Sequence, residues 1–245
     1  MRLHETIDEY IAQQARKLEA LRDFPEQGVI RGCYVSSEHP EQKGVKYALT
    51  TEVPYFDVDC RGIIGERHRR VSRESGGRER PIYGKINGRR PIVKEKRHIF
   101  AVSPEDLNVC SNVLGVCVTS ELLGINILIE ASDGRPYSLA NIPRGAYLIV
   151  GDENAQECPR TPIAVFEVYG QQLPCATMGA AIADYYQDQK LIRKFVEKAR
   201  NNRGSILTVE YPVAKEDASE GVEIVPARIS VGNTVFFKFP TGQIE

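Results

Sequence analysis

The chain has 245 residues, of which 42% are hydrophobic and 27% are charged, and its formal net charge is −1. This composition is typical of a globular protein, and a chain of this length buries roughly 70% of its unfolded surface without disulfide staples, in one large domain or two small ones. The apolar runs are shorter than the roughly 18 residues that suggest a membrane span, and the amino terminus opens on an amphipathic pattern rather than a signal core. We therefore expect a cytoplasmic protein with no membrane span.

The first predicted element is an amphipathic helix over residues 3–22. Its apolar residues recur at helical spacing and are Ile7, Tyr10, Ile11, Leu18 and Leu21. Pro25 and Gly28 then break the pattern. We expect residues 1–23 to form an accessory helix outside a main domain that spans residues 24–245.

The main domain is predicted to be mostly β, with inserted helices. Ser103 is the predicted N-cap of a helix that has Pro104 in its first turn and extends to about Leu114. A second helix is predicted at about residues 179–200. Strand-like runs lie at about residues 29–37, 46–53, 126–131, 146–150, 163–169, 206–211, 224–230 and 235–239. Short strands with few helices favour a barrel or a strongly bent sheet.

The charge of the chain is concentrated in one segment. Between Arg61 and His98 there are 13 basic and 4 acidic residues, a local balance of +9, so the rest of the chain sums to −10. Such a segment indicates an anionic partner, and the alternative is a solvated basic loop. Because only Tyr83 is available for base stacking within it, nucleic acid is the less favoured partner.

The six cysteines are scattered and contain no C-x-x-C pair, which argues against a zinc module. Cys33 and Cys117 lie in apolar runs and are predicted to be core residues. The motifs that bind NAD or the phosphates of ATP are absent. Among the histidines, only His68 lies in the glycine-rich part of the basic segment, and His98 is predicted to be a surface or packing residue.

The most informative residue is Cys175. A period-two strand at about residues 163–169 leads into Leu173, Pro174 and Cys175, and Pro174 cannot continue an interior strand. Cys175 is therefore predicted to lie at a sheet margin. It could be a nucleophile or soft metal ligand, or a buried and inert thiol.

Taken together, the order of several short segments resembles the MOSC domain, which is found at the carboxyl terminus of molybdenum cofactor sulfurases. These segments are residues 62–68, the arginine-rich loop, and residues 99–107, 123–127, 142–146, 173–175 and 203–204. The resemblance covers roughly residues 28–240 and is strongest to the small stand-alone members of the family.

The resemblance implies a barrel of the pyruvate-kinase β-barrel type, with Cys175 as the signature residue. In relatives this cysteine is proposed to carry sulfur or to ligate the molybdenum of a molybdopterin cofactor. By the same resemblance Arg67, His68 and Arg69 would hold the cofactor's phosphate, and Asn126 matches an asparagine near that site. The pyridoxal-phosphate-dependent desulfurase domain of larger relatives is missing here, so a separate cysteine desulfurase or redox partner would be needed.

Two other functions remain open on the sequence. The chain could be an interaction module that kept the fold and binds nucleic acid or another anionic partner through its basic loop. It could also be a molybdenum-dependent reductase of N-hydroxylated compounds, although Gly124 stands where cofactor-binding reductases of the family carry arginine. Whether the chain is an enzyme is not decided by these patterns.

Overall fold

The computed structural model describes residues 24–36, 49–66, 69, 72–75, 89–199, 203–211 and 226–240. The predicted helix at residues 1–23 lies outside these residues. Phe24 is the first described residue, and its ring packs edge-on against Tyr137, Phe237 and Phe239 at centroid distances of 5.0, 5.0 and 5.4 Å. The described core therefore begins at Phe24.

The secondary structure of the described residues is mostly β. The strands are β1 (Gln27–Val35), β2 (Thr51–Val53), β3 (Tyr55–Asp59), β4 (Gly62–Ile63), β5 (Ser72–Glu74), β6 (Ile92–Lys94), β7 (Ile99–Val102), β8 (Ile127–Ala131), β9 (Tyr147–Glu153), β10 (Ala164–Gln171), β11 (Ser205–Tyr211), β12 (Ala227–Ser230) and β13 (Asn233–Lys238). The helices are α1 (Pro104–Leu114), α2 (Ser120–Leu123), α3 (Ala176–Tyr186) and α4 (Lys190–Lys198), with one 3-10 turn at Leu139–Asn141. None of these helices is long and apolar enough to cross a membrane.

Seven of the described strands close a barrel in the order β13, β9, β10, β11, β7, β8 and β1, and β1 pairs back with β13. Only the β7–β8 pair among them is parallel. Strand β2 adds to the free half of β1. The remaining strands form a three-stranded sheet, β12–β3–β4, and a two-stranded ribbon, β5–β6. The prediction of a mostly β, barrel-like fold is confirmed.

Strand β7 is buried on both faces, because it separates two apolar cores. Its residues Ile99 and Ala101 face the barrel interior, whereas Phe100 and Val102 pack beneath the helices. This alternation follows from the period of two in a strand. The outer surface of β7 is thus where the barrel meets the helical layer.

Helix α1 matches its predicted bounds. The Ser103 side chain accepts a hydrogen bond from the Asp106 N–H, and the Asp106 carboxylate accepts one from the Ser103 N–H, which completes a capping box. Gly115 ends the helix at φ +74°, a left-handed conformation that glycine adopts without a steric penalty.

The single helix predicted at about residues 179–200 is wrong in two respects. Helix α3 begins at Ala176, and the helical segment breaks at Gln187, which has φ +51° and separates α3 from α4. The two helices pack closely at Gly179, since a Cβ there would lie 3.1 Å from Ile192 Cα. The break lets α4 fold back against α3 and α1, and both helices contribute side chains to the apolar core outside β7.

Candidate functional site

A cleft opens where the outer face of β7 and β11 meets the amino-terminal end of α3, with a cavity volume of about 130 Å³. The side chains on its walls that carry chemistry are Glu66, Arg97, His98, Asn126, Cys175 and Arg203. Two of these, Asn126 and Cys175, are residues that the sequence predicted for the site. The cleft therefore brings the signature cysteine together with cationic and hydrogen-bonding groups.

Cys175 is the N-cap residue of α3. Strand β10 ends at Gln171, two residues beyond its predicted end. Four residues later the Cys175 backbone is extended, and its carbonyl accepts a hydrogen bond from the Gly179 N–H at 3.0 Å. The Cys175 side chain makes no capping hydrogen bond and is partly exposed. The sulfur is thus placed at the positive end of a helix, where negative charge is stabilised.

Arg203 holds the segment that carries Cys175. Its guanidinium donates to the Leu173 carbonyl at 3.1 Å and to the Leu123 carbonyl at 3.2 Å. It is 2% exposed and lies between the rings of Phe100 and Phe195, 4.9 and 5.3 Å from their centroids. Arg203 lies in one of the segments that resemble the family, but the sequence predicted no role for it, because its contacts join residues 30 and 80 positions apart.

Asn126 braces the wall of the cleft. Its Oδ1 accepts a hydrogen bond from the Phe100 N–H at 2.9 Å, and its Nδ2 donates to the Tyr34 carbonyl at 3.2 Å and to Glu66 Oε1 at 3.4 Å. The amide thereby ties β1 to β7 and orients the Glu66 carboxylate. Its predicted contact with a cofactor stays a prediction.

Arg67 and His68, which the sequence predicted as cofactor-binding residues, lie outside the described residues. Arg69 is described, and its Nη2 donates to Asp59 Oδ2 at 2.6 Å. Asp59 also pairs with Arg61 at 2.7 Å. Burial raises the pKa of Asp59, but the hydrogen bonds from Arg61 and Arg69 outweigh it and leave the pKa below its ordinary value. Arg69 is not among the described residues that line the cleft.

Part of the basic segment is folded and paired rather than a solvated loop. Arg61 and Arg69 pair with Asp59, and Arg73 and Arg97 pair with the fully buried Glu95. Each of these two carboxylates thus forms ion pairs with two arginines. The exposed cations at Arg89 and Arg90 lie outside these pairs.

Arg97 is the half-exposed cation of the cleft, and Glu95 positions it. The Arg97 Nε donates to Glu95 Oε1 at 3.2 Å and its Nη2 donates to Oε2 at 3.4 Å, while the Arg73 Nε donates to Oε1 at 3.1 Å. Burial alone would raise the pKa of Glu95, but the hydrogen bonds and charge of Arg97, together with the charge of Arg73, lower it to about 2.

The buried ion pairs of Glu95 with Arg73 and Arg97 predict that the protein loses stability in acid. Because the pKa of Glu95 falls from 4.5 to about 2 on folding, its contribution is complete above pH 4.5 and is lost as the pH falls towards 2. Ionised Glu95 contributes about 3 kcal/mol to the free energy of unfolding, and about 2 kcal/mol of this contribution should be lost by pH 3. Urea unfolding between pH 7 and pH 3 measures it.

The variant Arg97→Gln removes a partner of Glu95 and should raise the pH at which the protein loses this stability. Arg31→Gln is the matched control, because Arg31 pairs with Glu130 on the surface, where both side chains are about half exposed. An identical pH dependence for wild type and Arg97→Gln would contradict the role given to Glu95.

His98 lies on the cleft wall as a packing residue, which is one of the two roles that the sequence predicted for it. It is buried, and its Nδ1 accepts a hydrogen bond from the Val209 N–H at 3.1 Å. Burial lowers the pKa of His98 even though Glu95 opposes that shift. The imidazole is therefore neutral at pH 7, with its proton on Nε2.

All six cysteines are free, and the others differ from Cys175 in their surroundings. Burial raises the pKa of both Cys33 and Cys110 to about 12, so these thiols are inert. The prediction that Cys33 is a core residue is confirmed. The same prediction for Cys117 is wrong, because Cys117 lies in the turn after α1 and is exposed; its carbonyl accepts a hydrogen bond from the Tyr186 hydroxyl.

The described residues contain no group of three or more His, Cys, Asp or Glu side chains that could hold a metal ion. A metal at this cleft would therefore have Cys175 as its soft protein ligand and would bring most of its other ligands with it.

The chain is 30% identical over 171 residues to YuaD, a protein of Bacillus subtilis strain 168 that is assigned a proposed role in metal-sulfur cluster biosynthesis. The matched residues are 69% of this chain and 79% of YuaD. The crystal structure of YuaD from Bacillus subtilis matches with a TM-score of 0.65 and 24% identity over 87% of this chain and 97% of that one. YiiM from Geobacillus stearothermophilus matches with a TM-score of 0.44 and 13% identity, over 86% and 72% of the two chains. No family model matches the chain.

Proposed function

The chain belongs to the MOSC family, and we propose that it carries sulfur for a molybdenum cofactor, or binds that cofactor, through Cys175. The observation that carries this proposal is the position of Cys175 as the N-cap of α3 inside a cleft that also holds Arg97 and Arg203. A thiolate accepts sulfur and binds soft metals, and a helix terminus with nearby cations favours negative charge.

The ligand set present suits a metal held within a larger cofactor better than a bare metal ion, because the described residues hold no cluster of protein ligands and Cys175 would add a soft one. Only the metal-bearing end of such a cofactor would occupy the cavity of about 130 Å³. Arg67, His68 and Arg69 remain the predicted contacts of the cofactor's phosphate, and Asn126 remains a predicted cofactor-binding residue. When bound, the cofactor would supply redox and sulfur chemistry at molybdenum.

The sulfur-carrying role agrees with the name of the relative YuaD, which refers to metal-sulfur cluster biosynthesis. A carrier needs a free thiol that a donor can reach, and Cys175 is free and partly exposed. A reducing, cytoplasmic setting would keep it in that state. A cysteine desulfurase or a redox protein is the partner that this role requires.

The proposal is tested on the purified chain. Elemental analysis should find molybdenum in protein from cells that make the cofactor, or the peptide with Cys175 should gain one sulfur atom after exposure to polysulfide, measured by mass spectrometry. Metal-free protein whose Cys175 gains no sulfur would contradict both forms of the proposal.

A second candidate is an interaction module for nucleic acid, which the exposed Arg89 and Arg90 and the local charge of +9 favour. DNA binding that weakens steeply as salt rises, in protein that takes up neither molybdenum nor sulfur, would support this alternative.

A further inference from the structure

The cavity beside Cys175 contains polar groups that the described protein does not satisfy. Thr50 is 8% exposed and lines the cavity, and its hydroxyl has no hydrogen-bond partner among the described residues. Ser36, on the same wall, is a partly exposed residue, but its hydroxyl oxygen is buried and also has no hydrogen-bond partner among the described residues. Because buried hydroxyls are nearly always hydrogen-bonded, these two indicate a polar ligand.

The charge around the cavity favours an anion. Arg97 and Arg203 contribute two positive charges, and Cys175 stands at the amino-terminal end of the 11-residue helix α3. One carboxylate, Glu66, faces them, but it accepts hydrogen bonds from the Ser36 N–H and from Asn126 Nδ2. Counted together with Glu95 and with Arg73, which shares that carboxylate with Arg97, the described charges around the cavity still sum to +1 when the Cys175 thiol is protonated.

The size of the cavity favours a small ligand. Its volume of about 130 Å³ is that of about four water molecules at roughly 30 Å³ each. Pockets that enclose drug-sized ligands have roughly 300–1,000 Å³. The described part of the cleft thus fits an ion of a few heavy atoms beside the cysteine.

We propose that this cavity binds a small tetrahedral oxyanion that carries a sulfane sulfur, of which thiosulfate is the simplest, and that Cys175 takes the sulfur from it. This inference rests on the proposed sulfur-carrying function and names the class of donor. The hydroxyls of Thr50 and Ser36 donate to the sulfonate oxygens, and Arg97 offsets their charge.

The transfer is balanced without an added oxidant. The Cys175 thiolate attacks the outer sulfur of thiosulfate, a new S–S bond forms, and the S–S bond of thiosulfate breaks. Sulfite leaves with the electron pair of that bond, and Cys175 becomes a persulfide. A thiophilic acceptor such as cyanide then takes the sulfur as thiocyanate and regenerates the thiolate.

The test uses the full chain with thiosulfate and cyanide. We expect thiocyanate and sulfite in equal amounts, a persulfide on Cys175 when cyanide is omitted, and competition by inorganic sulfate. Thr50→Val removes the hydroxyl at nearly constant volume and should raise the KM for thiosulfate at least fivefold. Thr51→Val is the matched control, because Thr51 is exposed and does not line the cavity, so its KM should not change.

The outcomes separate this inference from the function on which it rests. If polysulfide loads Cys175 and thiosulfate does not, the donor class is wrong and the sulfur-carrying function stands. If neither reagent loads Cys175, both fail. Unchanged KM in Thr50→Val would overturn the assignment of the oxyanion to this cavity. Binding of inorganic phosphate to the protein, without any turnover of thiosulfate, would show a phosphate subsite and overturn the proposed sulfur donor.

Discussion

Replacing Cys175 with serine is expected to abolish the uptake of sulfur from polysulfide and the binding of molybdenum. Serine is nearly the same size, but its hydroxyl neither forms a persulfide nor binds a soft metal. Because Cys175 is partly exposed and its side chain makes no capping hydrogen bond, the free energy of unfolding should change by only about 1 kcal/mol. Mass spectrometry measures the sulfur uptake, elemental analysis the bound molybdenum, and urea unfolding the free energy of unfolding.

Cys117→Ser is the matched control for this prediction. Cys117 is exposed and belongs to the turn after α1, outside the cleft, so this variant should load sulfur and metal as the wild type does. Unchanged loading of Cys175→Ser would remove Cys175 from the function. A loss of several kcal/mol in stability without any change in loading would show that Cys175 is a structural core residue.

The parts of the fold that the sequence predicted are those set by local chemistry. Ser103 and Pro104 define the start of α1, and the proline after a period-two strand places Cys175 beyond the end of β10. The family resemblance added the barrel, which strand patterns alone leave open between a closed barrel and a bent sheet. Local signals thus located the cysteine, and the resemblance supplied the barrel and one neighbour in the cleft, Asn126.

The groups around Cys175 were not predictable, because they come together through strand pairing. Arg97 and His98 precede β7, and Arg203 precedes β11, and these strands pair antiparallel. The sequence reports the charges of the basic segment but not that Asp59 and Glu95 neutralise several of them. The break at Gln187 and the exposure of Cys117 were missed for the same reason, since packing overrides local pattern.

Arg203 links this strand pairing to the cysteine. It stands one residue before Gly204 and holds the carbonyls of Leu173 and Leu123 at once. The position of the Cys175 segment therefore depends on how closely β11 approaches β7, and that approach is set at Gly204.

Gly204→Ala is expected to destabilise the protein by about 4 kcal/mol or more, at the upper end of single substitutions. Gly204 has φ +76°, and a Cβ there would overlap the Ala101 carbonyl oxygen and lie 2.7 Å from Val102 Cγ1. Relief requires β11 to move away from β7, whose pairing begins at Ser205 and Ala101. Gly134→Ala, at φ +72° with nothing within 4 Å of its Cβ, carries only the left-handed penalty of about 1 kcal/mol. Equal losses of unfolding free energy for the two variants, measured in urea, would contradict the steric account. A larger loss for Gly204→Ala, together with weaker sulfur loading of its folded fraction, would show that this contact positions Cys175.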